Sequence, residues 1–220
     1  AMKTPINPRT LLSLAIAYDL VREATDAKGR PLLDEATDRR IVNDLLQAGC
    51  TDMEHWDSLS NKGTAVFVLS AAIGMLFEEP DRVRSSLDGF ERMLDKRYHF
   101  DGHYSESPGY AAHNLHNVSE LPDLLNGYTD PPGYQPADEA WLSTGRIENY
   151  NPFATGRYNL ALQAMVRMLV PGNRLPNLGD TVFDTGPTMP VVETLADRLG
   201  GRYAALLELL QGAPLSEKGS

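Results

Sequence analysis

Apolar positions recur at close to helical spacing along most of this chain. Leu11, Leu12, Leu14, Ile16, Leu20 and Val21 lie between Pro8 and Gly29 and predict a first helix. A second begins near Asp34 or Thr37, buries Ile41, Val42, Leu45 and Leu46, and stops at Gly49. The third, from about Asn61 to Phe77, is apolar on nearly every face, which predicts a helix enclosed by others. A fourth opens on Pro80-Asp81, a favourable first turn, and runs through Val83, Leu87, Phe90 and Leu94 to Tyr98. The fifth starts near Pro108 and carries Leu115, Val118, Leu121 and Leu125, with Pro122 predicting a kink or break about one turn before its end.

Gly127 to Pro152 has no such period. Its Thr129-Asp-Pro-Pro-Gly-Tyr134 and Tyr150-Asn-Pro-Phe153 stretches are turn chemistry, and connectors of this length in compact domains are usually functional or mobile. A sixth helix follows from about Thr155 to Leu169, then two shorter ones over Pro190 to Leu199 and Arg202 to Leu210. Period-two alternation is nearly absent, so the chain reads as all-α. Consecutive helices joined by short and long turns suggest antiparallel helical hairpins stacked around an axis, although no clean repeat marks the period. The reading is one domain over residues 1–212 with a disordered tail over 213–220.

The 220 residues, 42% of them hydrophobic, are ordinary for a soluble globular protein. The longest apolar segment, Ala65 to Phe77, contains Ser70 and Gly74 and stops at Glu78-Glu79-Pro80, which is too short for a membrane span. Ala1-Met2-Lys3-Thr4-Pro5 lacks the charged start, apolar centre and cleavage site of a signal peptide. The single cysteine, Cys50, excludes an internal disulfide and a cysteine-based zinc site, and is expected to be a packed residue following the second helix. A net charge of −10 repels polyanions, and no lysine-rich stripe with interleaved aromatics is present, so nucleic acid is not an expected partner. An acidic ligand would need a local exception, for which Lys62, Lys96, Arg97, Arg146, Arg157 and Arg174 are candidates.

The densest chemistry lies in Asp101-Gly-His-Tyr-Ser-Glu-Ser-Pro-Gly-Tyr110, where two tyrosines, a histidine and two carboxyl groups precede a helix carrying His113 and His116. Helical spacing puts His113 one turn beyond Tyr110 and His116 one turn further, a stripe able to orient a phenol or meet a ligand. His99 and His103 form no recognised zinc signature, and neither a metal nor another cofactor is expected. Asp101-Gly102 is a turn signal, and Glu106 can anchor the loop through backbone N–H groups. Asn61 suits helix capping as well as ligand binding. Trp141 and Tyr134, in the irregular region, can stack on sugar rings, and Trp56 can do that or pack in the core.

Leu14-Ala-Ile-Ala-Tyr-Asp-Leu20, Asn61-Lys62-Gly63, Asp101-Gly102 with Glu106-Ser-Pro-Gly-Tyr110, and Pro176-Asn-Leu-Gly-Asp180 occur in an order and spacing that resembles the heparinase II/III-like polysaccharide lyases, which include oligoalginate lyases. The resemblance covers roughly residues 8 to 185. It implies an incomplete α/α toroid, a periplasmic or secreted setting, an acidic polysaccharide or oligosaccharide as substrate, and a β-rich part of the same polypeptide that is not present in this chain. It departs from the family at Lys62, where members often carry histidine.

By that resemblance the chain cleaves uronic-acid polymers by β-elimination. Removing the proton at carbon 5 adds charge to an already ionised carboxylate, so a site must offer donors or positive charge there. Asn61 is then the neutralising amide, helped by Lys62 and by the N–H groups of the helix that follows. Tyr110 matches the tyrosine after the Glu-Ser-Pro turn and serves as base or proton donor, with His113 beside it. Tyr104, Glu106, His116, Trp141, Arg157 and Asp180 fall to substrate binding, Glu106 also supporting Tyr110 and Asp180 organising the cleft. Two alternatives stay open. One is a toroidal glycoside hydrolase using Glu106 with another carboxylate; the other is a carbohydrate-binding or structural helical domain without catalysis.

Overall fold

A computed structural model describes residues 7–55, 59–61, 63–136, 145–154, 156–181 and 185–212. The 213–220 tail lies outside the described residues. The chain is mostly helical, and among the described residues the only β pairing is in isolated bridges. Among them too, no helix is long and apolar enough to cross a membrane. The backbone groups into two compact units. The first holds described residues within 7–59, 63–91 and 127–150; the second holds 60–61 and those within 92–126 and 151–212. No linker marks the division, because one continuous helix contributes to both.

In the first unit, α1 (Pro8–Val21) starts on an Asn7 cap that accepts the Arg9 N–H at 2.9 Å, with Pro8 in the first turn. It buries Leu11, Ala15 and Tyr18, one stripe at helical spacing, against Leu46, Cys50 and Met53 and against Val66, Leu69 and Ile73 of α4 (Thr64–Leu76). The next helical run is capped by Asp34 and passes through α2 (Glu35–Arg39), a π-helical stretch (Arg40–Gln47) and α3 (Ala48–Glu54). The stop expected at Gly49 does not occur. Gly49 sits inside the run because a Cβ there would lie 2.9 Å from Leu11 Cδ2, so its smallness serves helix contact rather than termination. Cys50 is therefore within a helix, fully buried, with its thiol pushed up to about 12, first by burial and then by Glu54.

The third helix also begins later than expected. It starts at Thr64 with Gly63 as its cap, and Asn61 lies in the preceding turn. A tight turn through Glu78, at φ 56°, leads into α5 (Pro80–Arg97). The irregular region is more ordered than its composition suggests. Its two arms pair through Gly127 N to Tyr150 O at 2.7 Å, Tyr150 N to Tyr128 O at 2.9 Å and Asp130 N to Ile147 O at 3.0 Å. Asp130 then reaches Arg84 of α5 in an ion pair whose side chains are 0% and 1% exposed. Arg84 also donates to Gly145 O at 2.5 Å, and Asp130 accepts the Ile147 N–H at 2.6 Å, so each charge has a hydrogen-bond partner beyond the pair itself. Tyr134 bonds Asp81 and lies under the Arg84 guanidinium, 5.5 Å from its ring centroid, which commits this expected stacking residue to the clamp.

The second unit takes the end of α5 and then α6 (Pro108–Val118), α7 (Glu120–Leu125), a 3-10 turn (Pro152–Ala154), α8 (Gly156–Arg167), α9 (Met189–Leu199) and α10 (Arg202–Leu210). The predicted break falls at Ser119 rather than at Pro122, which occupies the first turn of α7 where a missing N–H costs little. Leu115, Val118, Leu121, Leu125, Tyr158, Leu162, Met165, Val191, Val192 and Leu195 form its buried interior. α6 packs on α8 and α9, and α10 packs on α9 after the two-residue Gly200-Gly201 link.

Replacing Arg84 with Met would leave the Asp130 carboxylate buried without its cation, with an expected loss of about 3–5 kcal/mol read from the urea unfolding midpoint. Burial pushes the Asp130 carboxyl up, but the Arg84 bond, the Ile147 N–H and the Arg84 charge outweigh it and hold it below the ordinary 3.8. Its stabilising contribution is therefore complete above that value and is lost as pH falls through the lowered one. An Asp130→Asn variant should be less stable at neutral pH and show a flatter decline between about pH 5 and pH 2 in chemical denaturation.

Candidate functional site

The turn leading into α6 is built around two tyrosines. Tyr98 and Tyr104 face each other across an isolated bridge, rings 5.0 Å apart at 64°, with His99 N bonded to His103 O at 2.8 Å behind them. Gly102 closes the turn at φ 88°, and a Cβ there would sit 2.3 Å from Leu160 O, so both the backbone angle and the space demand glycine. Asp101 accepts the His103 N–H at 3.1 Å, the turn role its Asp-Gly pairing suggests.

Tyr104 is buried, and its hydroxyl accepts from Arg97 at 3.4 Å while the guanidinium lies 5.3 Å from its ring centroid. Burial raises its pKa and Arg97 pulls the other way without cancelling that. Arg97 also pairs with Glu106. Tyr98 donates to Asn114 Oδ1 at 2.8 Å and is fully buried, with its phenol held well above its ordinary value by desolvation. These phenols belong to the framework of the loop, and neither exchanges a proton readily near neutral pH.

Ser107 caps α6 from an extended conformation. Its hydroxyl accepts the Tyr110 N–H at 3.2 Å and its carbonyl accepts Ala111 N–H at 2.9 Å. Pro108 has no N–H to satisfy, and Gly109 donates to the buried Thr181 hydroxyl at 2.9 Å. Every first-turn donor is thus engaged within the protein, which removes this helix end as an anion receptor. Gly109 is needed for the approach, since a Cβ would meet Thr181 Cα at 3.1 Å. Next to it the Pro176–Asp180 turn lies against the cap: a Cβ on Gly179 would be 3.3 Å from Ser107 Cβ and 3.4 Å from Glu106 O.

Tyr110, half-buried, emerges from this collar, and exposed His113 follows one turn on with ring centroids 6.5 Å apart. Two turns beyond Tyr110, Asn117 donates its Nδ2 to Asn61 O at 2.6 Å, which fixes the Asn61 turn to α6. Glu106, Asp180, Tyr110, His113 and the Asn61 turn are therefore all carried on or against one helix. Glu106 and Asp180 are exposed.

Other expected contributors lie elsewhere in this unit. His116 departs from the stripe, its Nδ1 3.3 Å from Thr188 Oγ1 ahead of α9, because six helical residues turn it about 120° away from Tyr110. Arg157 bonds Leu94 O at 3.4 Å and Asp95 at 3.2 Å, bracing the start of α8 against the last turn of α5. Lys62, Trp141 and Trp56 lie outside the described residues. The helix start expected to assist Asn61 is Thr64, which is fully buried with Gly63 beside it, so these residues are not presented to solvent. Among the described residues no three His, Cys, Asp or Glu side chains converge as a metal site. Asn117 and Thr181 carry this arrangement and escape the sequence reading. Seven-residue spacing from Tyr110 is the signal for Asn117; Thr181 has none, because its contact is long-range.

Comparison with protein-family models, with characterised proteins and with solved structures finds no match for this chain.

Thr181→Val keeps the shape but leaves the buried Gly109 N–H without an acceptor. The expected cost is about 1–3 kcal/mol in urea denaturation, while Thr181→Ser should retain most of the stability.

Proposed function

We propose that this chain is helical toroid from a heparinase II/III-like polysaccharide lyase that cleaves uronic-acid glycans by β-elimination. The observation that supports the reading is the convergence on α6 of three segments that carry the sequence resemblance: Asn61's turn through Asn117, Glu106–Tyr110 as the helix start, and Pro176–Asp180 against the cap. These segments are far apart along the chain.

On this reading the Asn61 amide meets the uronate carboxylate where charge develops, and no helix dipole is required because the donors of α6 are engaged and α4 starts at buried Thr64. Tyr110 takes the proton at carbon 5 or delivers one to the departing oxygen at carbon 4, with His113 one turn away to orient it. Glu106 and Asp180 border the same end of the helix and face the sugar hydroxyls. The substrate is an acidic polysaccharide or oligosaccharide met in the periplasm or outside the cell.

The hydrolase alternative draws on Gly179 lying against the Glu106 backbone, which brings the Asp180 segment beside Glu106. It requires Glu106 as a proton donor, whereas its carboxylate engages Arg97. The lyase reading is therefore preferred.

Incubation with alginate, heparan and hyaluronan fragments should raise the ultraviolet absorbance of an unsaturated uronate. New reducing ends without absorbance would indicate hydrolysis, and binding without products a non-catalytic domain. Tyr110→Phe should lower turnover by about 10²–10⁴-fold while sparing substrate binding, and unchanged turnover would remove Tyr110 from its role.

A further inference from the structure

We infer that Asn117 is a positioning residue that sets the distance between the carboxylate-neutralising turn and the proton-transfer phenol; this rests on the lyase reading. Asn61 belongs to no helix, and the described chain resumes in helical form only at Thr64. The Asn61 backbone carbonyl is held at 2.6 Å by the Asn117 amide, a contact joining residues 56 positions apart.

The helix supplies the ruler. Seven residues along α6 carry Asn117 about 10 Å past Tyr110 and bring it back to within about 20° of the same face. His113 lies between them on that side. α6 itself is gripped by the Ser107 cap and Thr181 at one end and packs on α8 and α9 along its length. Tyr110 and Asn117 therefore move as one body, and the Asn117 hydrogen bond ties the Asn61 turn to that register. Asn114, on the neighbouring line of the helix, accepts from buried Tyr98 and further locks the rotation of α6 about its axis.

Because Asn61 acts on charge that grows during proton abstraction, loosening its turn weakens the transition state more than the ground state. The expected signature is a fall in kcat with KM nearly unchanged. Asn117→Asp keeps the shape and replaces the donor with an acceptor facing the Asn61 carbonyl. Asn117→Gln keeps the amide donor on a longer stem.

The experiment measures kcat and KM for unsaturated-uronate release, with thermal unfolding of each variant alongside. A fall in kcat of roughly 10²-fold for Asn117→Asp at near-constant KM, with Asn117→Gln recovering most of it, is the expected result. Should Asn117→Asp fail to fold, Asn117→Ser is judged by the same criteria. Unchanged kcat, or a change confined to KM, in a folded variant of an active parent would overturn the role of Asn117 and leave the lyase reading standing. A parent that releases no unsaturated uronate from any of the three glycans would remove both.

Discussion

A helix that begins inside a protein must find acceptors for its first amide groups, and the way α6 meets that demand organises everything around it. Ser107 supplies a hydroxyl and a carbonyl, Pro108 removes one donor from the account, and Thr181 reaches across from a distant part of the chain to take the last. The Thr181 contact draws the Pro176–Asp180 turn onto the cap, and the cap orients Tyr110 as the first side chain to leave it. Requirements of backbone hydrogen bonding alone thus assemble Glu106, Tyr110 and Asp180 at one place. The Glu-Ser-Pro-Gly-Tyr sequence has a structural explanation at each of Ser107, Pro108 and Gly109. Tyr110 is the position where that explanation stops, and it is where the proposed chemistry begins.

The first unit solves a different problem with a buried charge. Asp130 and Arg84 are both withdrawn from solvent, and the pair holds because additional donors and acceptors, Ile147 N–H and Gly145 O among them, complete its coordination. A hydrophobic pair would fill the same space. The ionic one ties the approach of the 127–150 arms to α5, since the partners of both charges beyond the pair, Gly145 O and Ile147 N–H, lie on those arms. Tyr134 and its bond to Asp81 add a second attachment on α5.

Helix existence was legible in the sequence because apolar spacing is a local property: α5, α9 and α10 lie within a residue or so of their expected bounds. Misjudged ends share one cause. Gly49 and Asn61 were read by their local preferences, as a stop and a start, whereas Leu11 packing determines the first and the Asn117 bond holds the second. Exposure of Ile16 and Leu20, at 54% and 77%, shows the same limit, because period alone does not say which stripe meets a partner. Among the site residues, loop composition singled out Tyr104 as readily as Tyr110, yet only tertiary packing separates a tyrosine buried against Tyr98 from one leaving a helix start. The convergence on α6 depends on contacts spanning 56 and 72 positions, which no local pattern encodes.

α5 runs unbroken from the first unit into the second, and each unit draws on three separated stretches of chain. Neither body therefore exists as a contiguous fragment that a single protease nick, a truncation or a subcloned segment could liberate. Any evolutionary exchange of one module would have to splice the polypeptide at several points at once. The two bodies are thus bound to a common inheritance by connectivity.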